Sequence, residues 1–444
     1  MNTTTALPTR FAGDERAARR ALVWAALAAA AAAKLYLALT TAGTLDAAAY
    51  ADFAAKLRAL GGVGLYRDPG SYNNPFVYLP LTAHFLRLTD WLAGATHLPF
   101  AFWLRLPCVL ADAGSLLFVW KHFARENAAA GRTSLAAEGV DPAAGRIAPP
   151  AGTVEPTTGQ FASLLVLALS PVSLIISGYH GNTDSLMIFL ALLSLFLVEG
   201  GRRVAAAGVF FGLALGLKIV PLVFAPAVWF YLNGTRPRLR FFGAAAAAVA
   251  VTSLPYILIE PLTIARAVFG YGSLYGAWGW PYLLAQALPE TLRYERYPHG
   301  LVGAHATYAA LGKWLMLALI LGASLWMNRR ERRPAPLAQG ALVLSIFLTL
   351  APGFGTQYLV WLVPFVAALG IFPSLGYNAV AGCFLAASYV CWFYRPMPAR
   401  CASYDYPPLM LAGWFSIIVV AFIQFRFIRR RALPARPAAE GVTP

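Results

Sequence analysis

Charged residues are scarce in this sequence: they make up 12% of 444 residues, whereas 59% are hydrophobic. One soluble core of this length needs far less apolar surface, so the composition excludes a soluble protein and indicates a membrane protein. The net charge of +16 comes mostly from short basic clusters between apolar stretches. Such clusters are typical of cytoplasmic loops, so no nucleic-acid partner is expected.

The sequence also lacks several features that would indicate a particular fold or chemistry. Four cysteines are too few for a disulfide framework. Cys383 and Cys391 would lie roughly 12 Å apart on one helix and cannot bridge, whereas a bridge between Cys391 and Cys401 stays open. The sequence has no Gly-rich phosphate-binding loop, and no internal repeat of the kind that inverted-repeat transporters show.

Apolar segments separated by turns or charges predict an all-α, polytopic membrane protein of about 12 spans, some of them short. The first segment follows three arginines like a signal peptide, but it is long enough to span the bilayer, so we expect a retained first helix. The segments lie near 21–41, 100–120, 160–178, 183–199, 204–217, 219–232, 241–259, 308–327, 336–351, 357–372, 376–393 and 409–427.

The basic residues predict which loops are cytoplasmic. With the N-terminus inside, alternation of the segments places 22 lysines and arginines on the inner side and ten on the outer side. This asymmetry predicts that both termini are cytoplasmic. The stretch 76–94 is interpreted as an amphipathic segment at the outer interface, because a thirteenth span would put the basic turns at 202–203 and 329–333 outside.

The same topology predicts the organisation of the chain. A transmembrane domain covers 21–427, and its inner loop is expected to be disordered because it is rich in Ala, Gly, Pro and Thr without periodicity. The predicted parts are a cytoplasmic tail (1–20), an outer loop with interfacial helices (42–99), the disordered inner loop (125–158), a second outer loop (260–307) and a basic cytoplasmic tail (428–444).

A single lysine interrupts the apolar run "GLALGLKIVPLVFAP" at position 218. The inner turns on either side require residues 204–232 to enter the membrane and return, and fourteen residues reach only about 21 Å of a core about 30 Å thick. Lys218 therefore marks a cavity open to the outer face, beside the helix breaker Pro221. The alternative is a lysine that snorkels to the outer headgroups.

Two further outer segments carry reactive side chains. Asp46 follows the first span and shares a helical face with Tyr50, so it is a candidate general base, or else an N-cap. In "GYHGNTDSLMIF", His180, Asn182 and Asp184 crowd a tight turn before an apolar helix. Capping of the helix would explain Asp184 but not His180. His180 and Asp184 could supply two metal ligands, but the turn offers no third, so no metal is expected.

The remaining outer candidates are polar or aromatic. Gln357 and Tyr358 begin a helix after glycines, and Gln357 would bond sugar hydroxyls or satisfy the backbone of the turn. The loop "FGYGSLYGAWGWPYLL" is interpreted as an interfacial belt or as a stacking wall for sugar rings. Its five aromatic candidates are Tyr271, Tyr275, Trp278, Trp280 and Tyr282.

Around these residues the chain resembles the GT-C glycosyltransferases, above all glycosyltransferase family 87 and related bacterial mannosyltransferases. The likeness rests on Asp46, Tyr50, Gly61 and Tyr66 after the first span, and on the order of "GYHGNTDSLMIF", "EGGRR", "VAAAGVFFGLALGL" and "KIVP". The run "QYLVWLVP" is similar to the GPI mannosyltransferase branch. The chain departs from several branches in lacking a paired acidic motif at Asp46, and "HGNTD" is an unusual form of the turn.

The resemblance implies an inverting transferase of the plasma membrane. Such enzymes take a sugar, here expected to be mannose, from a polyprenyl-phosphate donor and pass it to a glycan or glycolipid acceptor on the outer face. Asp46 would be the general base, Lys218 would bind the donor phosphate with His180 as a second donor, and no cofactor is expected. The residues expected to bind substrate are Lys218, His180, Asp184, Asn182, Tyr50, Gln357 and Tyr358.

Three other classes stay open from the sequence. An O-antigen ligase or polymerase-like enzyme would carry arginines in its large outer loop, as residues 260–307 do. A secondary transporter or lipid flippase would carry intramembrane charge along a path across the bilayer, whereas the candidates here gather on one side. A nonenzymatic membrane scaffold would need none of these side chains.

Overall fold

The computed structural model describes residues 10–68, 75–137, 155–201, 203–270, 273–275, 278–287, 303–329, 333–393 and 407–431. Their helices, in chain order, are α1 (Arg10–Thr40), α2 (Leu45–Arg67), α3 (Pro80–Thr96), α4 (Phe100–Ala137), α5 (Thr158–Ala168), α6 (Pro171–Ser173), α7 (Asp184–Glu199), α8 (Val204–Leu217), α9 (Ala225–Tyr231), α10 (Thr235–Ile259), α11 (Pro261–Phe269), α12 (Gly279–Gln286), α13 (Gly303–Asn328), α14 (Pro336–Leu350), α15 (Leu359–Ala368), α16 (Ile371–Phe393) and α17 (Pro407–Arg431).

The fold is that of a polytopic helical membrane protein, as predicted. Within the described ranges, seven helices are long and apolar enough to cross a membrane: Glu15–Thr40, Phe100–Gly131, Thr158–His180, Thr235–Ile259, Gly303–Asn328, Ile371–Tyr389 and Pro408–Arg429. The other five predicted segments are shorter helices, among them α7, α8 and α14. The stretch interpreted as interfacial forms α3, which is not one of the seven. The sidedness of the bundle stays a prediction.

Two details differ from the sequence expectations. The inner loop 125–158 was expected to be disordered, but α4 continues to Ala137, so its first part is helical. Residues 138–154 of that loop lie outside the described residues. A short antiparallel pair also forms, with β1 (Leu274–Tyr275) against β2 (Gly353–Phe354), and it ties the aromatic outer loop to the turn before α15.

Irregular backbone is concentrated where several apolar helices end. A π-helical segment, Leu174–His180, ends at Gly181, whose φ of 81° suits glycine. Helix α8 ends at Leu217, Lys218 is extended, and a 3₁₀ segment over Val220–Phe224 turns the chain into α9. This is the predicted hairpin of two short helices. π-Helical segments of this kind are frequent at functional sites.

Small residues let α8 lie directly against α10. A Cβ built at Gly208 or Gly212 would collide with the carbonyl oxygens of Phe241 or Ala245. This spacing is the small-xxx-small pattern that allows close approach of membrane helices. The contact fixes the position of α8, and therefore of Lys218 at its end.

Candidate active site

A cavity of about 130 Å³ lies between the start of α2, the segment before α3, the turn after α8, helix α11 and the turn before α15. Five of the candidates from the sequence line it together, which confirms that Asp46 and Lys218 share one cavity. The described lining residues are Asp46, Ala49, Tyr50, Phe53, Pro75, Val77, Tyr78, Lys218, Ile219, Val220, Val268, Gln357 and Tyr358. The lining therefore combines one carboxylate, one ammonium, one amide and several aromatic rings.

Asp46 is held by one of its two carboxylate oxygens. Its Oδ2 accepts hydrogen bonds from His180 Nε2 at 3.0 Å and from Asn182 Nδ2 at 2.9 Å. Among the described residues nothing donates to Oδ1, and the side chain is 38% exposed at the cavity. The N-cap interpretation of Asp46 is wrong, because Thr44 is the N-cap of α2 and its hydroxyl accepts from the Asp46 amide.

The surroundings keep Asp46 ionised. Burial among protein atoms would raise the pKa of its carboxyl, but the charge and hydrogen bond of His180, with the charge of Lys218 and the hydrogen bond of Asn182, act in the opposite direction. The net effect holds the pKa of Asp46 below its ordinary value. A carboxylate with one free oxygen and a low pKa can accept a proton over the whole neutral range.

His180 supports Asp46 from behind and does not line the cavity. It is 2% exposed, its Nδ1 is hydrogen-bonded to the hydroxyl of Tyr389, and that hydroxyl is 3.2 Å from Thr356 Oγ1. Its carbonyl oxygen accepts from Thr44 Oγ1 at 2.9 Å, which joins the π-helical segment to the start of α2. The expected contact of His180 with the donor phosphate is therefore not supported by its position.

Asn182 is likewise buried behind Asp46. Its Oδ1 accepts from the amide of Thr183 at 2.6 Å and from the Tyr50 hydroxyl at 3.2 Å, while its amide nitrogen donates to Asp46. Tyr50 reaches the cavity with its ring stacked on Tyr78, the centroids 5.5 Å apart. Asn182 thus positions two residues of the cavity wall and does not itself contact the cavity.

Lys218 forms a buried ion pair with Asp184. The ammonium is 2.7 Å from Asp184 Oδ2, and Lys218 is 8% exposed, so the snorkelling interpretation is wrong. Asp184 is fully buried, and its Oδ1 accepts from Trp361 Nε1 at 2.7 Å. Since both oxygens are occupied by Lys218 and Trp361, Asp184 neither caps α7 nor lines the cavity. Trp361 in turn stacks on Tyr358, a cavity residue.

The aromatic outer loop is mostly structural. Trp278 is buried, stacks on Phe354 with centroids 4.0 Å apart and donates to Leu348 O, so it belongs neither to a belt nor to a sugar-binding wall. Trp280 is 44% exposed and packs edge-to-face on Trp414. Tyr275 and Tyr282 do not line the cavity, and Tyr271 lies outside the described residues.

Sequence reasoning missed Arg105, which organises the backbone before Asp46. Its guanidinium is fully buried, and Nη1 lies 3.1 Å from each of Leu37 O, Thr41 O and Thr41 Oγ1. A Cβ at Gly43 would collide with Nη2. A lone charge inside an apolar segment is the signal that singled out Lys218, and it could have found Arg105 as well. Trp361 and Tyr389 carry no such signal.

The side chains that meet here do not form a metal site. Over the described part of the chain, no group of three or more His, Cys, Asp or Glu residues could hold a metal ion. His180 and Asp184, the two candidate ligands, point to different partners, Asp46 and Lys218 respectively.

Parts of the chain are similar to known glycosyltransferases. Residues 176–296, which carry His180, Asn182, Asp184 and Lys218, match the family model "Mannosyltransferase (PIG-M)". A segment of 82 residues is 37% identical to a probable dolichyl pyrophosphate Man9GlcNAc2 alpha-1,3-glucosyltransferase of Schizosaccharomyces pombe. That segment covers 18% of this chain and 16% of the yeast protein. The prediction of a glycosyltransferase is confirmed for the matched part of the chain, which is similar to the PIG-M mannosyltransferases of the GT-C superfamily.

Proposed function

We propose that the protein is an inverting membrane glycosyltransferase that transfers mannose from a polyprenyl-phosphate donor to a hydroxyl group of a glycan or glycolipid. The transfer takes place at the outer face of the plasma membrane, with Asp46 as the general base. The observation that carries the proposal is the Asp46 carboxylate, which is held through Oδ2 and lines the same cavity as Lys218. The match to the mannosyltransferase model favours mannose.

The proposed reaction is a single displacement. The acceptor hydroxyl gives its proton to Asp46 Oδ1 while its oxygen forms a bond to the anomeric carbon of the donor. The bond between that carbon and the phosphate oxygen breaks, and the lipid phosphate leaves with the electron pair. One carboxylate is sufficient for this chemistry, because the lipid phosphate leaves as an anion and needs no general acid, so only the acceptor hydroxyl requires a catalytic group.

Lys218 is proposed to bind the phosphate. An ammonium has three donors, and one of them is directed to Asp184, so the others can reach an anion in the cavity. The growing negative charge on the leaving phosphate is stabilised most where water is largely excluded, as it is around a lysine that is 8% exposed. Asp184 is proposed to hold the ammonium in place, and it does not contact the donor.

Gln357 and the tyrosines are proposed to hold the sugar. Gln357 lines the cavity together with Tyr50 and Tyr358, so an amide and two phenol rings face the same space. Amide groups hydrogen-bond sugar hydroxyls, and aromatic rings pack against the apolar faces of sugar rings.

Transfer by purified protein in detergent or proteoliposomes tests the proposed base. Radiolabelled sugars on polyprenyl phosphate are offered as a panel, together with an oligosaccharide on polyprenyl pyrophosphate. We expect transfer from the monosaccharide phosphate, and a loss of about 10²- to 10⁴-fold in Asp46→Asn, the range that general-base catalysis supplies. The matched control is Asp52→Asn on the same helix, which does not line the cavity and should keep its activity.

The same assay separates the competing functions. Transfer from the pyrophosphate oligosaccharide alone would favour an O-antigen ligase or polymerase-like enzyme, and movement of lipid without transfer would favour a flippase. If Asp46→Asn kept more than about a tenth of the wild-type rate, Asp46 would not be the base.

A test of the role of Lys218 requires a variant that leaves no unpaired charge buried in the protein. Lys218→Met combined with Asp184→Asn removes both charges of the pair, so it should remain folded. We expect it to lose binding of the polyprenyl-phosphate donor, measured by retention of labelled donor on the purified protein. Normal donor binding by this double variant would contradict the proposed phosphate contact.

A further inference from the structure

A line of buried hydrogen bonds runs away from the cavity behind Asp46. Thr356 Oγ1 is 3.2 Å from the Tyr389 hydroxyl, that hydroxyl is bonded to His180 Nδ1, and His180 Nε2 is 3.0 Å from Asp46 Oδ2. Thr356, Tyr389 and His180 are each no more than 5% exposed. The line joins four distant parts of the sequence: α2, the π-helical segment, the 3₁₀ turn Thr356–Tyr358 before α15, and α16.

The bonding pattern determines where the proton of the imidazole lies. A neutral histidine donates from one ring nitrogen and accepts at the other, whereas a carboxylate can only accept. Because a carboxylate can only accept, Nε2 must carry a proton, and in a neutral ring Nδ1 must then accept. The hydroxyl of Tyr389 is then the donor to Nδ1. The opposite tautomer would direct the Nε2 lone pair at the carboxylate 3.0 Å away.

We propose that Tyr389 is a positioning residue for the transfer reaction: its hydroxyl holds His180 in the Nε2–H tautomer, and His180 thereby holds Asp46 with Oδ1 directed at the acceptor hydroxyl. This inference rests on the proposed role of Asp46 as the base. Tyr389 lies on α16, outside the 176–296 segment that matches the mannosyltransferase model, and it does not line the cavity.

The expected loss of activity in a Tyr389 variant can be judged from other residues that orient a catalytic histidine through a hydrogen bond. The hydrogen bond at one ring nitrogen of a histidine decides which nitrogen is protonated, and a wrong tautomer removes the donor from the catalytic carboxylate. Losing the hydrogen-bond partner that orients a metal-ligating histidine typically costs 10- to 100-fold in activity, and we expect a loss of about that size for the histidine that orients Asp46. The loss should appear in kcat, because Tyr389 does not touch the donor.

The first experiment compares Tyr389→Phe with Tyr377→Phe. Both tyrosines are buried on α16, and the Tyr377 hydroxyl donates to Leu359 O at 2.6 Å; neither Tyr377 nor Leu359 lines the cavity. Tyr377→Phe therefore loses one buried hydroxyl bond, and Tyr389→Phe loses the bonds of its hydroxyl to His180 and Thr356. We expect kcat to fall about 10- to 100-fold in Tyr389→Phe with an unchanged KM for the donor, and to stay near wild type in Tyr377→Phe. Equal kcat values in the two variants would overturn the proposal.

A double-mutant cycle with His180→Gln separates tautomer control from packing. The glutamine amide can donate to Asp46 whatever group lies behind it, since an amide has no tautomer to select. Tyr389→Phe should therefore cost less than about threefold in the His180→Gln background, although each single variant is impaired. The same loss in both backgrounds would show that the hydroxyl acts only through packing.

Ring-¹⁵N NMR of histidine-labelled protein tests the inference without catalysis. The His180 signals are identified by their absence in His180→Gln. We expect a neutral ring protonated at Nε2 in the wild type and a mixture of tautomers in Tyr389→Phe. An Nδ1–H ring in the wild type, or an unchanged tautomer in Tyr389→Phe, would overturn the proposal. If the wild type transferred no sugar, the proposed function would fail, and these spectra would still decide whether the Tyr389 hydroxyl sets the tautomer of His180.

Discussion

Replacing Asp184 by asparagine should destabilise the protein severely although the two side chains have nearly the same shape. Asp184 accepts two hydrogen bonds, from Lys218 Nζ and from Trp361 Nε1, both at 2.7 Å. Asparagine offers one carbonyl oxygen and one amide group that only donates. One of the two buried donors therefore loses its acceptor, and the ammonium of Lys218 loses its counter-charge.

The expected loss can be bounded from the structure. Two unit charges 2.7 Å apart attract by about 6 kcal/mol at an effective dielectric constant of about 20, before desolvation is subtracted. Removing one partner of a buried pair typically costs about 3–5 kcal/mol. Because stabilities of folded proteins are only about 5–15 kcal/mol, Asp184→Asn should lower the folded yield as well as the apparent unfolding temperature.

Two further variants make this prediction specific to the buried pair. Lys218→Met in the Asp184→Asn background removes the stranded ammonium and leaves the carbonyl for Trp361, so most of the stability should return. Asp90→Asn breaks the exposed pair with Arg58 and should cost less than about 1 kcal/mol. Apparent unfolding temperatures in detergent, followed by tryptophan fluorescence, compare all four proteins. The reasoning would be refuted if Asp184→Asn were as stable as wild type, or if adding Lys218→Met to Asp184→Asn did not raise the unfolding temperature.

Two other predictions concern the contact between α8 and α10 and the charge of Asp46. Gly212→Ala should lower the free energy of unfolding by about 1–3 kcal/mol, because the new Cβ pushes α8 away from the Ala245 carbonyl. In the control Gly243→Ala on α10, the new Cβ meets no atom within 4 Å and should not destabilise the protein. Unfolding temperatures of the two variants are compared, and equal stability would contradict the close contact. The lowered pKa of Asp46 means that its ionised form stabilises the fold above about pH 4 and that this stabilisation disappears as the pH falls through the lowered value. Below about pH 5, where a histidine of the unfolded chain is already protonated, the stability difference between wild type and Asp46→Asn should stay constant down to about pH 4 and change only below that. A difference that already changes between about pH 5 and pH 4 would show that the pKa of Asp46 is not lowered.

The charged and amide residues that line the cavity were predictable from the sequence. Asp46, Lys218 and Gln357 each lie at the end of an apolar segment, and alternation of the segments put those ends on one side. A charged or amide side chain at such an end is costly unless it faces polar surroundings, so its position alone indicates a cavity. The structure brings these three together as expected.

The sequence did not predict which of the candidate residues contact the cavity and which lie behind it. His180, Asn182 and Asp184 were expected to touch the donor, yet they lie behind Asp46 and Lys218 as hydrogen-bond partners. In a tight turn, alternate side chains point to different sides, and the sequence does not state which side faces the cavity. Trp278 was misjudged for a related reason, because an aromatic residue in a loop can pack inward as well as outward.

The sequence by itself determined that the chain crosses a membrane many times and which helix ends carry the reactive groups, because the hydrocarbon thickness dictates the length and polarity of each segment. Only the tertiary structure decided the partners of those groups. The Asp184 carboxylate meets Trp361 of α15, and His180 meets Tyr389 of α16, at separations of 177 and 209 residues. Contacts over such separations depend on how whole helices pack, and no local pattern of residues encodes that packing.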